Sequence, residues 1–186
     1  MILVRLICIA VLTHMVFVAA RMTASLYALA NNVSTFTVGV ILALFSLIPM
    51  LIALRAGRWL DAVGPWQPTL IGTLLILGGV LLPWVFSYQS ADLAPLLVAA
   101  ALIGTGSTLS MLSVQKVVGD RADPSHRAAA FSWLALGASV SGFAGPVLSG
   151  LLIDAYGHRV TFGALVGLTL LSLATLWANR DLLPSR

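Results

Sequence analysis

Glutamate is missing from this 186-residue chain, and lysine occurs once, at Lys116. Charged residues make up 9% of the sequence and hydrophobic residues 60%, where a soluble domain carries roughly 25% charge. A chain so poor in charge cannot cover itself with a water-facing surface, which excludes a soluble globular domain. Cysteine is nearly absent too: the single Cys8 lies in an apolar run and excludes an internal disulfide. His14, His126 and His158 are too scattered along the chain for a metal site. Asp120 and Asp123 sit in a charged loop that reads as a solvated turn at Pro124. No nucleophile, metal cluster or carboxylate pair points to an enzyme, and no cofactor is expected. The net charge of +4 comes from basic residues in short connections, without interleaved aromatics, so nucleic acid is not an expected partner.

What the chain does have is long apolar runs. A membrane span needs about 20 mostly apolar residues. Six segments qualify: Leu6–Leu29, Thr35–Leu54, Pro68–Phe86, Leu93–Val117, Ala128–Ile153 and Val160–Ala178. The connections are short, so neighbouring helices run antiparallel and residues 1–186 form one six-span, all-α domain embedded in the lipid bilayer. Arg5, Arg55, Arg58, Lys116, Arg121, Arg127, Arg180 and Arg186 fall on one side, and Arg159 with Asp92 and Asp154 on the other. The excess of Lys and Arg marks the cytoplasmic side. Both termini are expected there, in a multi-pass protein of the plasma (inner) membrane. Arg5, the apolar run after it and Val18-Ala19-Ala20 also have the outline of a signal peptide, but the apolar character continues to Leu29 and removing this span would spoil the even topology.

The fifth segment is the most patterned. Gly137, Ser141, Gly145 and Ser149 recur every fourth residue, with Gly142, Pro146 and Gly150 on a strip beside them. Residues four apart share a helix face. Small residues there let backbones approach closely, which drives helix association inside lipid. Pro146 bends such a helix, a defect a packed bundle tolerates.

Two polar residues interrupt the first span. His14 and Arg21 are two turns apart, on roughly one face. An ionisable residue inside a membrane is a functional-site hypothesis by default, here a cavity-lining pair that meets an anionic or polar substrate. The plainer alternative has Arg21 reaching for the outer interface and His14 hydrogen-bonded to a neighbouring helix. Small and polar residues also fill the fourth span, from Gly104 to Ser113; they either pack closely or face a polar cavity.

A motif repeats. Gly57-x-x-x-Asp61-x-x-Gly64 recurs as Gly150-x-x-x-Asp154-x-x-Gly157, followed by Arg159. The first copy joins spans two and three, the second spans five and six, so the copies are inverted relative to each other. Inverted three-plus-three repeats characterise secondary transporters. The glycines of the first copy are expected to form a tight turn between helix ends, Ile48-Pro49 a bend at the end of span two, and Asp61 a cap for the next helix or a partner for Arg58 or Arg127.

On these motifs the chain resembles the N-terminal half of a major facilitator superfamily transporter over all six spans. Gly57 to Gly64 is similar to that family's motif between helices two and three, G-x-L-A-D-R-x-G-R-K. Gly145-Pro146-Val147-Leu148-Ser149-Gly150 resembles the helix-five motif of its drug/proton antiporter branch. Ala62 and Pro65-Trp66 stand where the family has basic residues, and no Arg precedes the Gly104/Gly106 pair. The resemblance implies a six-helix, 3+3 inverted half in which Gly57, Asp61 and Gly64 form an inner gate. Gly137, Ser141, Gly145, Pro146, Ser149 and Gly150 would pack helix five. Its function would be alternating-access transport of a small solute, such as drug or metabolite efflux. The partner would be a second six-span half, in the same polypeptide or as a homo- or heterodimer. The alternative is a truncated half with a structural or assembly role and no independent transport.

Overall fold

The computed structural model describes residues 2–86 and 93–183; Asp92 and Arg186 lie outside them. It contains α1 (Ile2–Ala30), α2 (Thr35–Val63), α3 (Trp66–Val85), α4 (Ala94–Arg121) and α5 (Arg127–Ala178), then a short 3-10 turn at Arg180–Leu182. All five helices are long and apolar enough to cross a membrane, and no strand occurs among the described residues. The count is therefore five continuous helices where six were expected. The reason is α5, whose 52 residues would reach roughly 78 Å if straight, against about 30 Å of bilayer core. Helical geometry fails at one residue inside it, Gly157, with φ 80° and ψ 169°.

Several boundaries also differ from the apolar runs. α2 does not end near Pro49 but carries it inside the helix and continues to Val63. Gly57 consequently lies within α2, and the turn rests on Gly64 alone, at φ 84° and ψ 171°. That backbone conformation is nearly the one found at Gly157, so the last glycine of each motif copy breaks the chain in the same way. Ser34 starts α2 by accepting a hydrogen bond from the Thr37 amide at 3.2 Å. α4 has Pro95 in its first turn, where a missing N–H leaves no bond unmade.

The exterior is apolar. Phe36, Leu54, Phe143 and Leu151 are all more than 60% exposed, a surface suited to lipid rather than water. The interior combines large residues such as Phe45, Phe162, Ile76 and Ile103 with a dozen buried Ser and Thr. Many of these hydroxyls return to the carbonyl four residues back: Thr23 to Ala19 at 2.8 Å, Thr69 to Pro65 at 2.7 Å, Ser113 to Leu109 at 2.8 Å and Thr169 to Leu165 at 2.7 Å. These hydroxyls of the polar core are thus satisfied without water, whereas Ser110 Oγ is buried without a partner among the described residues.

Glycine sets the helix separations. A methyl group on Gly72 of α3 would lie 2.6 Å from the Gly106 carbonyl of α4, and one on Gly106 would overlap the Gly72 carbonyl. One on Gly104 would overlap the Phe45 carbonyl of α2. α5 lies along α1 through its first small strip: Gly145 faces Ala19 N and Met15 O, where a methyl would stand 3.3 Å from each, and Ser149 Oγ reaches Ala19 O at 3.3 Å. The second strip behaves differently, for nothing lies within 4 Å of a methyl placed on Gly142 or Gly150. Gly145→Leu is therefore expected to push α5 off α1 and lower the melting temperature in detergent, while Gly150→Leu leaves it near the wild-type value. Equal melting of the two variants would show that the α1–α5 contact does not depend on backbone proximity.

Candidate functional site

The α1–α5 seam carries the polar groups of the first span. On α1, Ile7, Val11, His14, Val18, Arg21 and Ser25 recur at three- and four-residue intervals and none is fully buried. Leu6, Ile9, Thr13, Val16, Ala20 and Thr23 turn into the core. His14 and Arg21 therefore share one partly open stripe.

His14 sits near the middle of α1 and faces the small strip of α5. Its Nδ1 lies 3.1 Å from Ser141 Oγ. Ser141 already donates its hydroxyl to the Gly137 carbonyl at 2.7 Å, so toward His14 it can only accept. This pattern assigns the proton of neutral His14 to Nδ1 and leaves Nε2 as the open nitrogen. The ring also lies 5.9 Å from that of Phe17, centroid to centroid. Beside it is an enclosed gap of about 10 Å³ lined by Thr13, His14, Ser107 and Ser110 among others, room for one water.

Arg21 lies nine residues, roughly 13 Å at 1.5 Å per residue, before the end of α1 at Ala30. It is exposed, and no ion pair engages it among the described residues. Thr105, Thr108 and Gln115 of α4 are likewise only half-buried. They answer in part whether the small polar residues of the fourth span pack or face a cavity: Gly104, Gly106 and Ser113 pack, while these three remain accessible.

The two motif copies lie at opposite ends of the bundle. In the first, Asp61 Oδ1 pairs with Lys116 Nζ of α4 at 2.8 Å, and Lys116 is also 3.9 Å from Asp120 Oδ2. Asp61 does not cap α3, whose first residue follows Pro65 without a side-chain cap. The Lys116 contact, from a residue 55 positions away, was not foreseen; no local pattern signals it. In the second copy Asp154 and Arg159 are exposed and make no ion pair with each other. Cys8 is free and exposed. No group of three His, Cys, Asp or Glu that could hold a metal occurs among the described residues.

Comparison with known proteins bears on this arrangement. A family model described as Major Facilitator Superfamily matches residues 6–185. No curated protein matches the chain. Solved structures with the same fold include a mutant of the peptide transporter POT in complex with alafosfalin, at TM-score 0.82 and 22% identity, covering 96% of this chain and 38% of that one. Another is the POT family transporter PepTSo, at TM-score 0.81 and 18% identity, covering 100% and 38%. A third, a POT family transporter in complex with 5-aminolevulinic acid, has TM-score 0.78 and 18% identity, covering 93% and 37%. The chain thus spans little more than a third of the solved proteins it matches.

Proposed function

This chain belongs to the Major Facilitator Superfamily, a family of transporters rather than enzymes, and from that premise we propose that it is one six-span half of a secondary transporter moving a small solute by alternating access. The six-span reading takes the two arms of α5, 127–156 and 158–178, as separate crossings. They are roughly 45 and 32 Å long at 1.5 Å per residue, each enough for a bilayer of about 30 Å. The inverted 3+3 repeat is supported by the matching conformations of Gly64 and Gly157, φ 84° and 80°. With an even number of spans, the basic residues collect at one side, which supports a cytoplasmic location for both termini, in our reading at the plasma membrane.

The observation that carries the transport reading is Arg21. It is exposed, without an ion pair among the described residues, and sits within a membrane-length helix. Lipid is a poor environment for such a group, and a water-filled pathway is a good one. His14, with Nε2 open on the same stripe, is the second cavity residue. Gly57 and Asp61, in the last turns of α2 and braced by the Asp61–Lys116 pair, make up the inner gate together with Gly64 at the turn. Gly137, Ser141, Gly145 and Ser149 pack helix five on α1. Gly142 and Gly150, where nothing lies within 4 Å of an added methyl, and Pro146 on the same strip are left for the second half, whether it is in the same polypeptide, an identical copy or a different one. Drug or metabolite efflux is the direction the helix-five motif favours.

The test uses proteoliposomes of the natural polypeptide with its second half, loaded with labelled dipeptides, 5-aminolevulinic acid and cationic dyes as probes. Arg21→Ala is expected to reduce transport of any carried probe at least tenfold while leaving the melting temperature unchanged, since Arg21 holds no ion pair. Unchanged transport would place Arg21 at the lipid interface and sink the cavity reading. A second reading is an assembly subunit without transport of its own; absence of transport with every second half tried, together with stable complex formation, would select it.

A further inference from the structure

At the basic end of the bundle, away from His14 and Arg21, α1, α4 and α5 line an open cavity of about 610 Å³. Its floor and walls are apolar, from Leu3 and Leu6 of α1, Val118 of α4, Ala129 and Ala130 of α5, and the indole of Trp133. Its rim is Arg121 and His126. Nothing in the roles given above uses it. We propose that this cavity is a binding site for one anionic phospholipid, with the headgroup phosphate on Arg121 and an acyl chain running along Ala129 toward Trp133.

Three observations support that occupant. The first is charge. Arg121, in the last turn of α4, makes no ion pair among the described residues, while the acidic residues near it are engaged elsewhere. Asp120 is 3.9 Å from Lys116. Asp123 accepts from the Ser125 hydroxyl at 2.6 Å and the Ser125 amide at 2.9 Å, donors that hold its carboxyl below the usual carboxylate range. An Arg with uncommitted donors is matched to a phosphate. The second is a pre-set ring. Ser125 spends its hydroxyl on Asp123 and so accepts from His126 Nδ1 at 3.0 Å. The Asp123–Ser125–His126 chain therefore orients the imidazole and leaves Nε2 of the neutral ring to accept from a headgroup hydroxyl. The third is the polarity gradient. The Arg121 cation stands at the rim, and Trp133 stands seven residues past His126, roughly 10 Å deeper along α5 at 1.5 Å per residue. Polar above and apolar below is the profile of a phospholipid at an interface, and basic pockets between spans are known headgroup sites. The volume is in the range that holds a ligand with a body, far more than a bare phosphate needs.

The measurement is native mass spectrometry of the full chain, released from nanodiscs of equal phosphatidylglycerol and phosphatidylcholine. Wild type is expected to retain one phosphatidylglycerol. Arg121→Gln should reduce its occupancy about fivefold, the weight of one basic contact at a charged bilayer. Ala129→Phe, at an exposed wall position, should reduce it similarly by filling the cavity with all charges intact. Arg127→Gln, an exposed neighbour outside the lining, should leave it unchanged. Helical content and melting in pure phosphatidylcholine certify that each variant is folded. Equal retention of the two lipids by wild type overturns the proposal, as does an Arg127→Gln effect equal to that of Arg121→Gln, which is general surface charge. Retention insensitive to Ala129→Phe also overturns it, because the acyl chain would then lie elsewhere. Displacement by millimolar inorganic phosphate alone would assign the site to a free anion and not to a lipid.

Discussion

Replacing Gly106 with leucine should leave no folded, monodisperse protein, and Gly106→Ala should already destabilise it by about 1–3 kcal/mol, the usual range for overpacking a close-fitted interior. A methyl there would overlap the Gly72 carbonyl and stand 2.9 Å from the Ile76 side chain. The Ile76 contact can relax through a rotamer change. The Gly72 contact cannot, because the obstacle is the backbone of α3, which moves only as a helix. The crossing is reciprocal, since Gly72 meets the Gly106 carbonyl in turn, so moving α3 away loses the contact from both sides. Separation also withdraws the buried Ile76–Ile103 region that α3 and α4 share, and lipid offers no hydrophobic force to bring the helices back together. The control is Gly78→Leu on α3, the facing helix, where a methyl meets nothing within 4 Å. Thermal unfolding and size-exclusion profiles in detergent read both. Similar profiles for the two variants would mean that the α3–α4 separation is not set by this glycine pair.

The way this crossing is built explains what could be read from the sequence. The packing face of α5, though not its partner α1, was legible because one strip, Gly137 to Ser149, repeats every fourth residue, and a helix converts that period into a face. The α3–α4 contact is made by Gly72 and Gly106, which belong to no such strip; glycine in spans three and four was visible, but which glycine opposes which is a property of three dimensions. The same holds for Asp61 and Lys116. Hydropathy located every apolar run, yet α2 and α4 extend past their runs, α2 through Arg55, Arg58 and Asp61 and α4 through Asp120 and Arg121. Apolar length reports the bilayer's thickness, whereas a helix ends where its backbone is interrupted. The cavity at Arg121 left no signal either, because its lining comes from three separated helix ends and is mostly alanine, valine and leucine.

Gly157 is the other position where a large effect is expected, for a different physical reason. Its φ of 80° and ψ of 169° lie in a region essentially confined to glycine, where an L-residue costs of order 1–3 kcal/mol and a β-branched one is worse. Space is not the constraint, because nothing lies within 4 Å of a methyl placed there. Gly157→Val should therefore act through backbone conformation alone. If valine takes the helical geometry of its neighbours, the 52 residues of α5 run on as a single rod, and if it takes the extended region the direction of the second arm changes. The arm 158–178 would then leave α3, against which Gly163 now rests so closely that a methyl on it would stand 2.8 Å from Trp84 Nε1. The expected result is loss of the native melting transition and new protease cleavage near residue 157. Gly167→Val, in the same arm with open space around it, should melt like wild type. Gly64, with φ 84° and ψ 171°, should respond to valine as Gly157 does, since both residues end the same motif in the same conformation. Loss at one and tolerance at the other would break the equivalence of the two motif copies, and with it the main support for an inverted repeat. Tolerance at both would mean that the helices on either side, rather than the glycines, impose the reversal.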